Sequence, residues 1–164
     1  MNKSGRQVAY QAVIRSPLPG VPYLGIRVSA GRLSAIDFLG TPHVPFLAKD
    51  AGVERVVSLL QQYFSAAQLD ADVPVQPEGT DFQQRVWQRL RNIPGGEVMR
   101  YGELAHELGS SARAIAGACR ANPIPIIIPC HRVIAVTGLG GYMGETAGEA
   151  LAIKRWLLQH EGYV

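Results

Sequence analysis

Apolar and polar residues alternate in short runs near the N-terminus, in QVAYQAVI from Gln7 and again in YLGIRVSAGRLSAIDFL from Tyr23. A period of two belongs to half-buried strands, and turns at Ser16 to Pro22 and at Ala30 to Arg32 make the strands antiparallel. From Ala51 the period changes. Val53, Val56, Val57, Leu60, Tyr63 and Phe64 recur at three- and four-residue steps, which predicts a helix packed by one face on that sheet. Ala71 to Gly79, with Pro74 and Pro77, carries neither period and predicts an extended connection. We place a unit boundary near Gly79, separating 1–78 from 79–164.

Beyond the boundary, Thr80 or Asp81 is placed to cap a helix carrying Phe82, Val86, Trp87 and Leu90, which the Pro-Gly-Gly break between Ile93 and Gly96 ends. A short helix over Tyr101 to Leu108, a tight turn over Gly109 to Ser111, and a helix over Ala112 to Ala121 have the spacing of a helix-turn-helix. A last helix is expected over Leu151 to His160. On the Ala112 helix, Arg113, Gly117 and Arg120 share a face by the i, i+4, i+7 rule. Two readings of that face stay open: small residues that let helices pack tightly, or a surface with two cations that can approach a backbone closely.

A length of 164 residues suits one ordinary domain or two small ones. With 47% hydrophobic and 18% charged residues the chain is not disordered. The most hydrophobic stretch, IPIIIPC from Ile124, is cut by prolines and falls short of the roughly 18 residues of a membrane helix. The N-terminus lacks the apolar core of a secretory signal, so the expected location is cytoplasmic, with no membrane partner. The net charge of +3 says little about partners, but its distribution says more. Seven arginines lie between Phe82 and Gly144 against Glu97, Glu103 and Glu107, and no acid lies from Gly109 to Gly144.

Two cysteines cannot make a disulfide framework, and neither sits in a CxxC pair that would suit structural zinc. Cys119, among small residues on a helix, reads as packing. Cys130 lies between Pro129 and His131 and just before Arg132, so an imidazole and a guanidinium flank a thiol whose ordinary pKa is about 8.5. On residue types alone it is either a nucleophile or an inert core cysteine. If His131 acts, it acts as the base, directly or through a water, and Glu161 is a candidate carboxylate to orient it. His43, His106 and His160 read as surface or satisfied polar residues.

The segment ANPIPIIIPCHRVIAVTG, from Ala121 to Gly138, closely resembles the active-site signature of the O6-alkylguanine-DNA alkyltransferases, the methylated-DNA-protein-cysteine methyltransferases. The resemblance extends through Gly79 to Ala105, the ARAIAGACRANP helix and IKRWLLQHEG from Ile153; the N-terminal part matches more loosely. It implies an α+β fold, with an N-terminal ribonuclease-H-like α+β domain followed by a mostly helical, helix-turn-helix (winged-helix-like) catalytic domain. It also implies irreversible single-turnover transfer of an alkyl group from O6 of guanine to Cys130. His131 would deprotonate the cysteine through a water and Glu161 would orient His131. Arg113 would fill the space of the flipped nucleotide, on a helix that enters the minor groove. Tyr101 would turn the target phosphate and hydrogen-bond the guanine, with Ala112, Gly117 and Arg120 completing the DNA face. Asn122 would brace the turn, main-chain groups of Cys130 and Val133 would hold the base, and Pro129, Tyr142 and Met143 would shape the pocket. The partner is double-stranded DNA containing O6-alkylguanine, met by a monomer.

The chain departs from the family pattern in the pocket loop, where Met143 follows Tyr142 and GETAGEALA, from Gly144 to Ala152, is longer by a few residues. That loop is expected to set substrate breadth. The N-terminal metal-binding cysteines of some members are missing, so no metal or other cofactor is expected. The principal rival is a non-catalytic alkyltransferase-like reader of alkylated DNA, a class that lacks the motif cysteine. A helix-turn-helix transcription factor and a thiol hydrolase are further rivals; the first would prefer one sequence in undamaged DNA and the second would turn over repeatedly.

Overall fold

The computed structural model describes residues 9–68 and 73–163. Strands β1 (Ala12–Arg15), β2 (Tyr23–Ser29), β3 (Arg32–Leu39) and β4 (Phe46–Leu47) form an antiparallel sheet in the order β3-β2-β1-β4. The period of two locates the first three; Gln7 and Val8 of the predicted first strand lie outside the described residues. The two-residue β4 was not predicted. It sits in a Pro-rich stretch too short to show a period.

Helix α1 (Ala51–Ala66) packs Val53, Val56, Val57, Leu60 and Tyr63 on the sheet, and Asp50 caps it by accepting from Val53 N–H. Ala71 and Asp72 of the predicted connection are outside the described residues. From Val73 the connection is extended but anchored: Leu33 N–H donates to Pro74 O and Gln76 N–H to Leu33 O, both at 2.9 Å. Helix α2 (Asp81–Leu90) starts on a capping box, with Gln83 N–H donating to Thr80 Oγ1 and Thr80 N–H to Gln83 Oε1. Gly79 lies under the Trp87 ring, where a Cβ would come within 2.4 Å of it, so the boundary position tolerates no side chain. Trp87 Nε1–H donates to Ala118 O at 2.9 Å and pins α2 to the later helices.

A two-residue strand β5 (Met99–Arg100) leads into α3 (Tyr101–Glu107), and α4 (Ala112–Arg120) comes next on a Ser111 cap. Strand β6 (Val133–Ile134) pairs parallel with β5. Helix α5 begins at Glu149 rather than Leu151 and runs to His160, so the last four residues of the predicted 144–152 loop are its first turn and the loop proper is shorter. Among the described residues there are thus five α-helices, and none is long and apolar enough to cross a membrane. One buried cluster runs from Ile14 and Leu24 through Leu60 and Trp87 to Ile128 and Leu157, joining the sheet to the later helices. Ile36 N–H of β3 donates to Pro123 O, which braces the sheet against the segment that carries Cys130.

Candidate active site

Cys130 stands at the start of a single 3-10 turn, Cys130–Arg132, at the end of the proline-rich run. Asn122 shapes that run. Its Oδ1 accepts from Ile124 N–H at 2.9 Å, while its Nδ2 donates to Ile128 O at 2.8 Å and to Cys130 Sγ at 3.2 Å. The loop closes through Ile128 N–H to Ile124 O, and Ile126 at its apex has φ +75°, a region that β-branched residues avoid. The surrounding apolar core holds this strained turn, and with it the sulfur, in place.

Behind the sulfur, His131 and the Glu161 side chain are fully buried. His131 Nε2–H donates to Glu161 Oε1 at 2.8 Å, which leaves the lone pair on Nδ1; that atom is buried and has no partner among the described residues. Arg132 donates Nε to Glu161 Oε2 at 2.9 Å and Nη2 to Oε1 at 2.7 Å, and Nη1 to Ile93 O at 2.6 Å. Tyr63, from α1, donates its phenol to Oε1 at 2.8 Å. Burial works to raise the Glu161 carboxyl, but hydrogen bonds and charge from His131 and Arg132 hold it well below the usual carboxylate range. Burial lowers the His131 pKa against the pull of Glu161, so the imidazole is neutral and able to take a proton. Burial also pushes the Cys130 thiol up, opposed by the Asn122 hydrogen bond, the charge of Lys154 and backbone N–H groups. The resting sulfur therefore carries its proton, and a base is needed to remove it.

In front of the sulfur lies a cavity of about 520 Å³, within the range of small-molecule sites, lined by Cys130, Tyr101, Cys119, Tyr142 and Met143, with Arg113, Gly117 and Arg120 on the α4 side. The tyrosines are buried enough to stay protonated. Tyr101 Oη–H reaches Gly141 O at 3.3 Å. Gly144, at φ +80°, lies under Arg120, where a Cβ would come within 2.7 Å of Nε, so the loop passes closely beneath that arginine because it is glycine. Arg113, Gly117 and Arg120 line the α4 rim, and a Cβ on Gly117 would meet nothing within 4 Å. The small-residue face of α4 is therefore open surface rather than a helix-packing seam.

Most of the site residues read from sequence converge. Cys130, Tyr101, Arg113, Gly117, Arg120, Tyr142 and Met143 share the cavity; His131, Glu161 and Asn122 stand behind it, and Val133 is buried in β6 just beyond the turn. Ala112 is exposed at the first position of α4, off the cavity wall. Pro129 lines a separate cavity on the other side of the run, beside Arg132 and Ile93. One reading needs correction. Arg132 does not flank the thiolate, because neighbouring side chains on a 3-10 turn diverge and its guanidinium is spent on Glu161 and Ile93 O. Cys119 packs against the core as read and also forms part of the cavity wall. The arginine-rich stretch is also less positive than its sequence, since Arg132 is neutralised by Glu161 from outside the stretch; Arg89 pairs within it to Glu107 at 2.7 Å.

Sequence reasoning missed Tyr63, whose ring follows the helical period of α1 while its hydroxyl does not, and Lys154. The lysine is fully buried, with Nζ donating to Val133 O at 2.6 Å and to Gly141 O at 2.9 Å. A signal was present. Lys154 lies seven residues before Glu161, on the α5 face that also buries Ala150, Ile153, Leu157 and Leu158.

Comparison with known proteins agrees with this geometry. The methylated-DNA-protein-cysteine methyltransferase of Shigella flexneri is 46% identical over 109 residues, 64% of this chain and 61% of that protein. Its counterpart in Salmonella typhimurium is 54% identical over 89 residues, 52% of this chain and 49% of that protein. The matches thus span about half to three-fifths of the length of these curated relatives. Among solved structures, Mycobacterium tuberculosis OGT in complex with DNA superposes with a TM-score of 0.73 at 38% identity, covering 91% of this chain and 90% of that one. Residues 81–163, half of the chain, match the family model described as the DNA-binding domain of 6-O-methylguanine DNA methyltransferase, and the chain belongs to that family.

Proposed function

We propose that this protein repairs DNA by direct reversal, moving an alkyl group from O6 of guanine in duplex DNA onto Cys130 in a single irreversible turnover. One observation carries the reading. The cysteine backed by a buried imidazole-carboxylate pair also opens onto the cavity whose rim bears Arg113 and Arg120. The names of the curated relatives and the DNA complex of the M. tuberculosis protein support it. The rival role as a non-catalytic reader is not favoured, because the motif cysteine is present and served by a base.

In this mechanism the target nucleotide leaves the stack, at a cost of a few kcal/mol, and Arg113 occupies the gap. His131 takes the Cys130 proton through a bridging water; Glu161 stabilises the imidazolium that results. The thiolate attacks the saturated alkyl carbon. The S–C bond forms as the C–O6 bond breaks and the electron pair stays with the guanine; the guanine takes one proton from solvent as His131 returns the cysteine's proton to solvent, and the base leaves in its ordinary form. Tyr101, a neutral phenol on the cavity wall, would hydrogen-bond that base. The thioether left on Cys130 has no route back to a thiol, so the protein is consumed.

The finer architecture belongs to the same proposal: an N-terminal α+β unit of ribonuclease-H-like type over 1–78, and a catalytic unit over 79–164 built on the α3–α4 helix-turn-helix. The β1–β2–β3 meander with α1 packed on it, and the tight turn between α3 and α4, support this division.

The test uses duplex DNA carrying labelled O6-methylguanine. Label is expected on the peptide containing Cys130, stopping near one alkyl group per protein, and Cys130→Ser is expected to bind the lesion but accept no label, because a hydroxyl is a far weaker nucleophile at neutral pH. Continued turnover with excess substrate, or label elsewhere, would overturn the proposal.

A further inference from the structure

Lys154 is fully buried, yet among the described residues it has no carboxylate partner. A buried ammonium without an anion is costly, and such a group persists where its hydrogen bonds are satisfied and its charge has a use. Its two acceptors are informative. Val133 O lies three residues beyond Cys130, on the strand leaving the nucleophile, and Gly141 O lies on the pocket loop just before Tyr142. The Tyr101 phenol converges on the same Gly141 oxygen, and the ammonium sits 5.7 Å from the Tyr101 ring centre. One side chain thus ties together β6, the pocket loop and α3.

The titratable groups facing Lys154 are Tyr101 on α3, Cys119 on α4, and Cys130 and His131 on the 3-10 turn. None is a carboxylate, and the chain from Gly109 to Gly144 supplies no acid. The anion available to this cation is a cysteine thiolate, and of the two cysteines Cys130 is the one with a base behind it.

We infer that Lys154 is a positioning residue of the transfer reaction, whose ammonium braces the pocket loop against β6 and stabilises the Cys130 thiolate. This rests on Cys130 being the alkyl acceptor. Helix α5 then serves both ends of the proton transfer, with Glu161 stabilising the imidazolium and Lys154 the thiolate, two helical turns apart on one face. Burial depresses the lysine to about 8, against the attraction of Cys130 and Cys119. Its charge is present at neutral pH and is lost as pH rises through that value.

The decisive measurement is the rate of Cys130 alkylation by iodoacetamide against pH, with peptide mapping of the product, on the full chain without DNA. Lys154→Gln keeps a donor for the carbonyls but removes the charge. We expect it to alkylate roughly tenfold more slowly at pH 7, tenfold being one unit of thiol pKa, with the gap to the parent closing as pH rises through about 8. Lys154→Arg keeps the charge and should restore most of the parental rate at pH 7. Should Lys154→Gln fail to melt cooperatively, Lys154→Met takes its place in the same assay. A parental rate at pH 7 in the neutral variants, or an equal loss in Lys154→Arg, would overturn the inference. Failure of the parent to take label from alkylated DNA would instead strike the functional reading and leave this assay standing.

Discussion

In front of Cys130 the walls are arginines at the cavity rim, small residues on α4, and a loop that turns through left-handed residues at Gly140, Met143 and Gly144. Behind it, His131, Arg132 and Glu161 are buried and joined by four hydrogen bonds under 3 Å, counting the one from Tyr63. The rear is a fixed electrostatic device and the front an adaptable surface. Proton handling needs a carboxylate and an imidazole held in fixed orientation, whereas a flipped base of varying alkyl size needs room and side chains that yield. Damage to the rear should therefore fall equally on every substrate. Damage to the front should depend on what is offered.

The largest effect is expected from Glu161→Gln. It leaves Arg132 buried without its counter-charge and removes the partner of His131, so transfer should fall by at least about a hundredfold on duplex DNA and on free O6-benzylguanine alike, with a stability loss of about 3–5 kcal/mol. The parent's pH dependence comes from the same pair. The depressed Glu161 stabilises the fold above the usual glutamate value and loses that contribution as pH falls toward its folded value; His131, neutral when buried, adds a loss in the same direction below about 6.5. Urea melts between pH 5 and pH 2 should show a shallower decline in Glu161→Gln than in the parent. Unequal losses on the two substrates would break the contrast between rear and front.

Arg113→Ala tests the front. Because the arginine offsets an unstacking cost of a few kcal/mol, repair of duplex DNA should slow by roughly ten- to a hundredfold, a single-stranded target less, and free O6-benzylguanine hardly at all. Rates on all three substrates decide it, and a uniform loss would move Arg113 to the rear's side of the comparison. The smallest effect belongs to the loop. Met143, half-exposed at φ +53°, is expected to tune breadth, so Met143→Ser with 145–148 shortened should change the ratio of methyl to benzyl transfer by about threefold, a fraction of a kcal/mol to which a flexible thioether contact can amount. An unchanged ratio would make the loop a bystander. Glu149 must stay, since it opens α5.

The front of the site was more legible in the sequence than the rear. Arg113, Gly117 and Arg120 are related by helical spacing, and that relation survives folding. His131 and Glu161 are 30 residues apart, and no periodicity brings them together; the resemblance to a known family supplied the pairing that spacing could not. Arg132 illustrates the opposite error, because adjacency in sequence suggested a contact that the divergence of side chains on a tight turn prevents. Tyr63 was assigned to the core from its position on α1, and a hydroxyl that reaches out of a core face leaves no mark in a hydrophobic pattern. Strands β4, β5 and β6, two residues each, are too short for alternation to appear at all.

The phenol that Tyr63 extends to Glu161 comes from a residue upstream of position 81, where the family match begins. His160 Nε2–H reinforces that crossing by donating to the Tyr63 carbonyl at 2.6 Å, and its ring stacks on Trp156. The edge of the matched DNA-binding domain and the edge of the catalytic network are therefore different lines through the molecule. A chimera that joins the first half of one relative to the second half of another at that seam inherits a nucleophile, a base and a carboxylate, yet keeps the fourth short hydrogen bond to that carboxylate only if the incoming α1 brings a hydroxyl to the same place. A change at position 63 is therefore felt at the carboxylate, on the far side of the seam.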